Sequence, residues 1–296
     1  MSPSLGPPTN GRMDGKTVLI TGGNAGVGKE TAVGLAREGA QVVFTSRDAT
    51  RGAEALANVR KRSGNDTVEV MPLDLASFAS IQGFADAFLG SHDRLDVLVN
   101  NAGLVQQQRS VTEDGFETTF GVNHLGHFLL TSLLLDRLQA SAPARVVVVS
   151  SHAHKQARSG LDFDDLQAER SYRAFGVYGK SKLANILFTT ELARRLDGTN
   201  VTANALHPGF VGSRFGRDGD TGRLGDVAMI LGRPLAISPE KGARTSIWLA
   251  SSPDVDGETG GYYYRCKPST PSTAARDDDA ARRLWTASEQ LVASVD

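Results

Sequence analysis

Tyr178 and Lys182 are the residues whose types and spacing most directly suggest chemistry. They lie four positions apart in Tyr-Gly-Lys-Ser-Lys, at the start of a stretch with helical periodicity. Side chains at i and i+4 share one face of a helix, so the lysine ammonium can lie close to the phenol. A nearby positive charge stabilises a phenolate, and we expect it to lower the pKa of Tyr178 from its usual value of about 10. Such a tyrosine could transfer a proton near neutral pH.

A glycine-rich turn is the second motif, and one is needed because Tyr-x-x-x-Lys also occurs by chance in surface helices. The turn, Gly-Gly-Asn-Ala-Gly-Val-Gly, follows an apolar strand ending at Thr21 and precedes a helical pattern. Glycines let the backbone approach a pyrophosphate, and the helix N-terminus supplies free N–H groups and a positive dipole. The turn lacks the Gly-Lys-Ser/Thr ending of a P-loop, which argues against ATP or GTP hydrolysis. The predicted dinucleotide contacts are Gly22, Asn24, Gly26, Val27 and Gly28.

The end of the second strand indicates which dinucleotide binds. An acidic residue there would accept hydrogen bonds from a ribose 2′-hydroxyl and repel a 2′-phosphate. The sequence has Ser46-Arg47-Asp48, in which Arg47 offers a planar cation suited to phosphate and Ser46 a hydroxyl. Asp48 is the rival ligand, although its place before Ala-Thr-Arg-Gly-Ala-Glu favours a helix N-cap. We expect NADP in preference to NAD.

The elements that must position these residues alternate along the chain. The predicted strands contain continuous apolar runs such as Val-Val-Val-Val, which is typical of strands buried on both faces of a parallel sheet. Repeated strand-helix-strand order predicts an α/β fold, a single-domain Rossmann-type doubly wound parallel sheet of about seven strands flanked by helices. Strands are expected at 17–21, 41–45, 67–71, 95–100, 145–150, 201–206 and 261–266, and helices near 26–38, 49–62, 77–90, 113–139, 171–197 and 239–251.

Domain organisation follows from the same pattern. Residues 1–13 have no basic or apolar run, which predicts a flexible tail and no signal peptide. Residues 14–296 contain no linker that would divide them, so we expect one NADP-binding domain. The stretches near 152–177 and 212–236 interrupt the strand-helix rhythm and are long enough to be substrate loops.

Composition limits the class of protein. The chain has 296 residues, of which 40% are hydrophobic and 22% charged, with a net charge of −1. These values are typical of a globular protein, and they give no reason to expect nucleic acid or an anionic membrane as a partner. Cys266 is the only cysteine, so no intrachain disulfide can form and a reducing compartment fits. No segment reaches the ~18–20 apolar residues of a transmembrane helix. We therefore expect a cytoplasmic protein.

Four further fragments complete a resemblance to a known family. Asn100 to Gly103 follows the fourth predicted strand, Asn123 lies in Gly-Val-Asn-His-Leu-Gly-His, and His207-Pro208-Gly209 follows the sixth. Ser150 and Ser151 close the fifth strand, and of these two adjacent serines Ser151 is the one that matches the family pattern. Together with the glycine-rich turn and the Tyr-x-x-x-Lys pair, they make residues 15–266 resemble the short-chain dehydrogenase/reductase family. Asn-His-Leu-Gly-His-Phe and Ser-Lys-Leu-Ala-Asn-Ile-Leu-Phe look like its retinol-dehydrogenase-like branch, which is similar to protochlorophyllide reductases.

The resemblance implies roles for single residues. Tyr178 would be the general acid/base, Lys182 would lower its pKa and hold the nicotinamide ribose, and Ser151 would hydrogen-bond the reacting oxygen. Asn123 would support a proton-relay water. Further cofactor contacts would come from Asn101, Asp74, Pro208 and Val211. Ser213 stands where many relatives carry a threonine, and it keeps the hydroxyl.

The implied activity is hydride transfer between NADP and an apolar alcohol, aldehyde or ketone. Alternatives are reduction of a carbon–carbon double bond, an NADP-binding regulatory protein without catalysis, and a methyltransferase, which has no need of Tyr-x-x-x-Lys. His124, His127, His152 and His154 could suggest a metal, but no cysteine or organised carboxylate set joins them, and we expect none. The helices carrying Asn123 and Tyr178 often form subunit interfaces in the family, so a homo-oligomer is plausible.

Overall fold

Eight strands form one sheet at the centre of the protein. The computed structural model describes residues 11–211 and 236–295. Within these ranges, the strands lie in the order β3-β2-β1-β4-β5-β6-β7-β8, and all neighbours are parallel except β7 and β8. The strands are β1 (Thr17–Ile20), β2 (Gln41–Ser46), β3 (Glu69–Pro72), β4 (Val97–Asn100), β5 (Ala144–Val149), β6 (Val201–Leu206), β7 (Tyr262–Tyr264) and β8 (Lys267–Pro268).

The predicted fold class is confirmed, with one more strand than expected. The last predicted strand ran from 261 to 266, but β7 ends at Tyr264. Arg265 and Cys266 both have positive φ values, 52° and 57°. Two such residues form the tight turn of a β-hairpin, which reverses the chain and pairs Tyr264 with Lys267.

Helices cover both faces of the sheet. Helices α1, α2 and α8 pack on one face, where Val18 and Ile20 point, while α3, α5 and α7 pack on the other, where Leu19 points. The described helices are α1 (Gly26–Arg37), α2 (Ala49–Ser63), α3 (Phe78–Ser91), α4 (Thr118–Phe120), α5 (Gly126–Leu133), α6 (Leu135–Ala140), α7 (Ala174–Arg195), α8 (Pro239–Ser251) and α9 (Asp278–Ala293).

The strand order creates a crevice beside β1. That strand pairs with β2 on one side and β4 on the other, so the chain leaves β1 in one direction and returns to its far side three strands later. The two connections diverge at this switch point, and the carboxyl ends of β1 and β4 open between them. Ligands of open α/β sheets bind at this place.

The helix predicted over 113–139 is wrong in its bounds and its continuity. Helical structure begins at Thr118, passes through a π-helical turn at Gly121–Leu125, and breaks between α5 and α6 at Leu134. Leu134 has φ −98° and ψ 0°, outside helical values. A π-turn adds a residue to one turn and rotates its side chains, which often occurs at functional sites. Asn123 lies in this turn.

The C-terminal helix α9 covers the outer face of α5 and α7. Trp285 is 8% exposed and packs against the rings of Phe128 and Phe188, with centroid distances of 5.0 and 5.8 Å. Ser288 Oγ lies 2.8 Å from His124 Nε2. Helices α5 and α7 are therefore packed on both sides, by the sheet and by α9.

The predicted N-terminal tail meets the folded domain at Met13. Met13, the last residue of the predicted tail, is buried, and its N–H donates to Glu38 O at 2.9 Å. Residues 1–10 and 212–235, which include Ser213 and most of the second predicted substrate loop, lie outside the described residues. No helix within 11–211 and 236–295 combines the length and apolar character needed to cross a membrane.

Candidate active site

A cleft of about 1800 Å³ opens at the carboxyl ends of the central strands. Pockets for one small ligand are usually ~300–1,000 Å³, so this volume suits a dinucleotide with a second molecule beside it. All predicted cofactor residues line the cleft, as does Ser151; Asn123 does not. Those lining residues are Gly22, Asn24, Gly26, Val27, Gly28, Arg47, Asp74, Asn101, Tyr178, Lys182, Pro208 and Val211.

The glycine-rich turn fits a phosphate group. Gly22 has φ +65°, and a Cβ there would lie 3.1 Å from Ala102 Cα. A Cβ at Gly28 would lie 2.5 Å from Gly22 O, closer than such atoms approach. Helix α1 begins directly at the cleft, and its N-cap residue, Ala25, provides no side-chain cap. The first N–H groups of α1 are thus left for an anion from the cleft.

The end of β2 presents Arg47 to the cleft. The Asp48 carboxylate accepts a hydrogen bond from Arg51 N at 2.8 Å and caps α2, as the sequence predicted. Ser46 Oγ donates to Asp48 O at 2.7 Å, so this hydroxyl stabilises the turn between β2 and α2. The carboxylate beside Arg47 is thus engaged with helix α2, and the guanidinium of Arg47 is exposed on the cleft wall.

Asn101 ties the loop after β4 to the glycine-rich turn. Its side-chain Nδ2 donates to Thr21 O at 2.8 Å and Gly22 O at 3.3 Å. In return, Thr21 Oγ1 accepts from the N–H groups of Asn101 and Ala102 at 2.9 and 3.0 Å. Asn101 lines the cleft as predicted, but its amide also fixes the shape of the turn.

The remaining predicted cofactor contacts lie on the rim and the floor of the cleft. Asp74 Oδ1 accepts from Ala76 N at 2.9 Å and so stabilises the turn after β3. Val211 forms a bridge with Ile237. A Cβ on Gly242 would come within 2.7 Å of Val211 and 3.2 Å of Val27, so these two side chains pack against the start of α8. They form an apolar wall of the cleft.

Ser151 and Tyr178 both line the cleft and hydrogen-bond each other. Ser151 follows β5, and Tyr178 lies in the second turn of α7. The neighbouring Ser150 is buried, and its Oγ donates to Lys182 O at 2.7 Å. The structure therefore assigns the two adjacent serines different tasks: Ser150 fixes α7 to the sheet, and Ser151 faces the cleft.

The expected lowering of the Tyr178 pKa is not found in the protein alone. Burial of the phenol raises the pKa of Tyr178 to about 12, and the hydrogen bond from Ser151 lowers it only in part. Lys182 Nζ lies 5.9 Å from the centroid of the tyrosine ring and donates to Val149 O at 3.0 Å. The sequence indicated the neighbouring charge correctly but not the cost of desolvating a phenolate.

Lys182 is held in place before any ligand arrives. It is 3% exposed, and burial lowers the pKa of its ammonium group to about 8. A Cβ on Gly103 would lie 3.1 Å from Nζ and 3.2 Å from Asn123 Oδ1. A larger residue at 103 would therefore press on both side chains where the loop after β4 passes the lysine.

Asn123 lies behind the cleft wall. It is fully buried, and its Oδ1 accepts from Leu104 N at 2.8 Å. Its Nδ2 donates to Leu104 O and to Ser181 Oγ, both at 2.9 Å. Its side chain thus joins the loop after β4 to α7.

His127 is a residue that sequence reasoning weighed only as a metal ligand. Its Nδ1 lies 3.1 Å from Asn123 O and its Nε2 lies 2.9 Å from Thr21 Oγ1. Burial lowers the pKa of His127 to about 3, so the ring is neutral. It links the π-helical turn to the glycine-rich turn. In the sequence, only its spacing of four from Asn123 indicated a contact with that residue.

Further side chains that no motif predicted also line the cleft. Phe175 and Phe210 are 48% and 50% exposed. Lys155 and Arg158 are lining residues too, and Tyr264 stacks on His207 with a centroid distance of 4.1 Å. Phe175 precedes Tyr178 by three positions and therefore lies on the same face of α7.

The histidines do not form a metal site in the described part of the chain. His124 contacts α9, His127 contacts Thr21, and His154 Nε2 accepts from Ser272 N at 3.1 Å. No group of three His, Cys, Asp or Glu side chains among the described residues could hold a metal ion.

Comparison with known proteins agrees with this geometry. The family model for short chain dehydrogenases matches residues 16–162. Retinol dehydrogenase 14 from Homo sapiens is 48% identical over 95% of this chain and 88% of its own length. Retinol dehydrogenase 13 from Homo sapiens is 44% identical, over 96% of this chain and 87% of its own.

Solved structures show the same fold. A crystal structure of an uncharacterized protein from Mycobacterium paratuberculosis is 37% identical, with a TM-score of 0.75, and the match covers 95% of this chain and 94% of the other. The NADP active-site complex of RhlG from Pseudomonas aeruginosa is 28% identical, with a TM-score of 0.68, over 87% and 96% of the two chains. The chain therefore belongs to the short chain dehydrogenase family of oxidoreductases, in its retinol-dehydrogenase-like branch.

Proposed function

We propose that the protein transfers a hydride between NADP and an apolar alcohol, aldehyde or ketone, with Tyr178 as general acid/base. One observation carries the proposal: Ser151, Tyr178 and Lys182 share a single cleft with the glycine-rich turn. The names of the retinol dehydrogenase relatives support an apolar alcohol or its carbonyl as the reacting group.

When bound, the nicotinamide supplies or accepts the hydride at the carbonyl carbon. The protein's part in reduction concerns the carbonyl oxygen, which gains negative charge as the hydride arrives. The Ser151 hydroxyl donates a hydrogen bond to that oxygen, and the Tyr178 phenol gives it a proton. A phenol pKa of about 12 keeps Tyr178 protonated at neutral pH, which suits the acid role.

Lys182 would act on the cofactor and on Tyr178 together. Its ammonium group is fixed by Val149 O and lies on the same helix face as the phenol, so one hydrogen-bond direction is already used. The remaining N–H groups are suited to the hydroxyls of a ribose in the cleft. The ammonium charge would stabilise the phenolate that forms once the proton has left.

Arg47 is the proposed reason for a preference for NADP over NAD. Its guanidinium is exposed on the cleft wall, with no hydrogen-bond or ion-pair partner among the described residues. The acidic residue that follows it in the sequence, Asp48, caps α2. A planar cation at the end of β2 can bind a 2′-phosphate through paired hydrogen bonds.

Tyr178→Phe tests the proposal. The variant should lose about 10²–10⁴-fold in turnover, the usual contribution of a general acid, and keep its NADPH dissociation constant within a few-fold. Tyr172→Phe is the matched control, because it also removes a phenol hydroxyl but Tyr172 does not line the cleft. Turnover by Tyr178→Phe at the rate of the unmodified protein would contradict the mechanism.

The substrates for this test are a panel of hydrophobic aldehydes and ketones beside a panel of enones, with NADPH oxidation as the signal. Reduction of enones alone would place the activity in carbon–carbon double-bond reduction. Binding of NADPH without oxidation by any compound of either panel would favour a regulatory protein. A cytoplasmic location is a further part of the proposal, which cell fractionation tests.

A further inference from the structure

The two ends of the cleft carry different charge. At the cofactor end, acidic and basic side chains alternate: Asp48, Glu54 and Asp74 line the wall together with Lys29, Arg47 and Arg51. We take as the substrate end the lining residues that follow Ser151 in the chain, where the charged side chains of the described residues other than Lys182 are Lys155 and Arg158. Both are cationic, and no described carboxylate lines that end.

Lys155 lies in a short 3₁₀-helical segment, four positions after Ser151. The segment, His152–Gln156, follows Ser151 directly. In a 3₁₀-helix, residues three apart lie above one another, so Lys155 is on the same side as His152. The positive charge of Lys155 also acts on His207. It is the smallest of the causes that lower the pKa of His207, after burial and the charges of two other histidines.

Neither cation is neutralised by the described part of the protein. Other basic side chains form close ion pairs, such as Arg62 with Glu30 and Arg194 with Glu191, both at 2.6 Å. Lys155 and Arg158 are exposed and have no ion-pair partner within residues 11–211 and 236–295. Two like charges on one wall favour an anion between or beside them.

Apolar surface accompanies the two cations. Phe175 and Phe210 are about half exposed, although large apolar side chains usually bury most of their surface. Phe175 lies one turn before Tyr178, on the same face of α7. A ligand whose carbonyl meets Tyr178 would therefore contact Phe175 with the part next to the carbonyl.

We propose that the substrate is an amphipathic acid: a carbonyl or alcohol at one end, an apolar body against Phe175 and Phe210, and an anionic group bound by Lys155 and Arg158. This inference rests on the proposed function, because it places the reacting carbon at Tyr178. It narrows the substrate class from apolar carbonyl compounds to those with an acidic group, a carboxylate in the simplest case.

Matched substrate pairs test the inference. Short, medium and long ω-oxo fatty acids are compared with their methyl esters, which keep the aldehyde and the chain but lose the charge. We expect KM to be about three- to tenfold lower for the acid than for its ester at one best chain length, with kcat similar, since exposed ion pairs contribute modestly. High salt should reduce the difference because it screens exposed charges.

Two variants assign the effect to the proposed residues. Lys155→Gln and Arg158→Gln should each raise KM for the acids and leave KM for the esters unchanged, and the double variant should remove the preference. Lys61→Gln, an exposed lysine on α2 away from the cleft, is the control and should change neither KM. NADPH affinity should stay constant in all of them.

The outcomes separate the two proposals. Equal KM for each acid and its ester, or a preference that survives the double variant, overturns the anionic site while leaving the oxidoreductase proposal intact. If neither these compounds nor any aldehyde or ketone of the first panel is reduced, the proposed function fails. In that case thermal stabilisation of the NADPH-bound protein by the acids relative to the esters, and its loss in the double variant, still decides the question of the anionic site.

Discussion

The cofactor end and the substrate end of the cleft are built from different parts of the chain. Backbone forms the cofactor end: Gly22, Gly28 and Gly103 stand where a Cβ would press on neighbouring atoms, and Asn101 bonds the adjoining loops together. Exposed side chains form the substrate end, on the 3₁₀ segment and the first turn of α7. We infer that substitution is constrained at the first end and permitted at the second.

Gly28→Ala should have the largest effect among the substitutions that test this difference between the cofactor end and the substrate end. The new methyl group would meet Asn101 Nδ2 at 2.4 Å and Gly22 O at 2.5 Å, so the glycine-rich turn must move. Overpacking costs about 1–3 kcal/mol, which corresponds to NADPH binding weakened by up to about 100-fold. Fluorescence titration with NADPH measures it.

Gly83→Ala is the matched control, because Gly83 lies in α3 and a Cβ there would meet nothing within 4 Å. This change should leave NADPH binding unaltered and stabilise the protein by about 0.5–1 kcal/mol, the usual gain for alanine over glycine in a helix. If both variants bind NADPH equally well, the cofactor end is not fixed by its backbone.

Arg47→Gln should produce the next largest effect. Losing a charge-assisted hydrogen bond of ~2 kcal/mol weakens binding by about 30-fold. The loss should appear in the NADPH dissociation constant and leave NADH binding unchanged, since NADH has no 2′-phosphate. An equal loss for both dinucleotides would assign Arg47 to a general role in the fold of the turn.

The pH dependence of reduction should follow Lys182. Its lowered pKa of about 8 means that the ammonium is charged below that pH and neutral above it. Reduction needs the charged form, so kcat/KM should be constant below about pH 8 and fall about tenfold for each unit above it. In Lys182→Arg the side chain stays charged, and any remaining activity should persist to higher pH.

Phe175→Ala should have the smallest of these effects and belongs to the substrate end. Removing the half-exposed ring loses part of an apolar contact, of ~1 kcal/mol, which raises KM for apolar aldehydes about fivefold. NADPH binding should not change. Val111→Ala, an equally exposed apolar side chain away from the cleft, is the control. Weaker NADPH binding by Phe175→Ala would contradict the assignment of Phe175 to the substrate end.

Much of the cofactor end could be predicted because its signals are local. The spacing of Tyr178 and Lys182 places them on one helix face, and Asp48 caps α2 as its neighbours indicate. Glycines between a strand and a helix leave few other structures to consider. Local sequence therefore predicted the fold class and the predicted cofactor contacts that line the cleft.

Long-range packing determined what the sequence did not reveal. The pKa of Tyr178 depends on its burial by distant elements, and His127 meets Thr21 across 106 positions. The π-helical turn at Asn123 has no signature in a single sequence. The substrate end is missing from the motifs for another reason: Lys155 and Arg158 are ordinary surface residue types, and only their place on the cleft wall gives them meaning.

Helix α9 covers aromatic side chains of α5 and α7 that lie far earlier in the chain. Until Trp285 and its helix have been synthesised, the rings of Phe128 and Phe188 on α5 and α7 have no cover from that side. A chain that stops before Asp278 would carry an intact glycine-rich turn and an intact Tyr178, yet expose an aromatic patch prone to aggregation. An assembly of two copies through the same face would first have to displace α9.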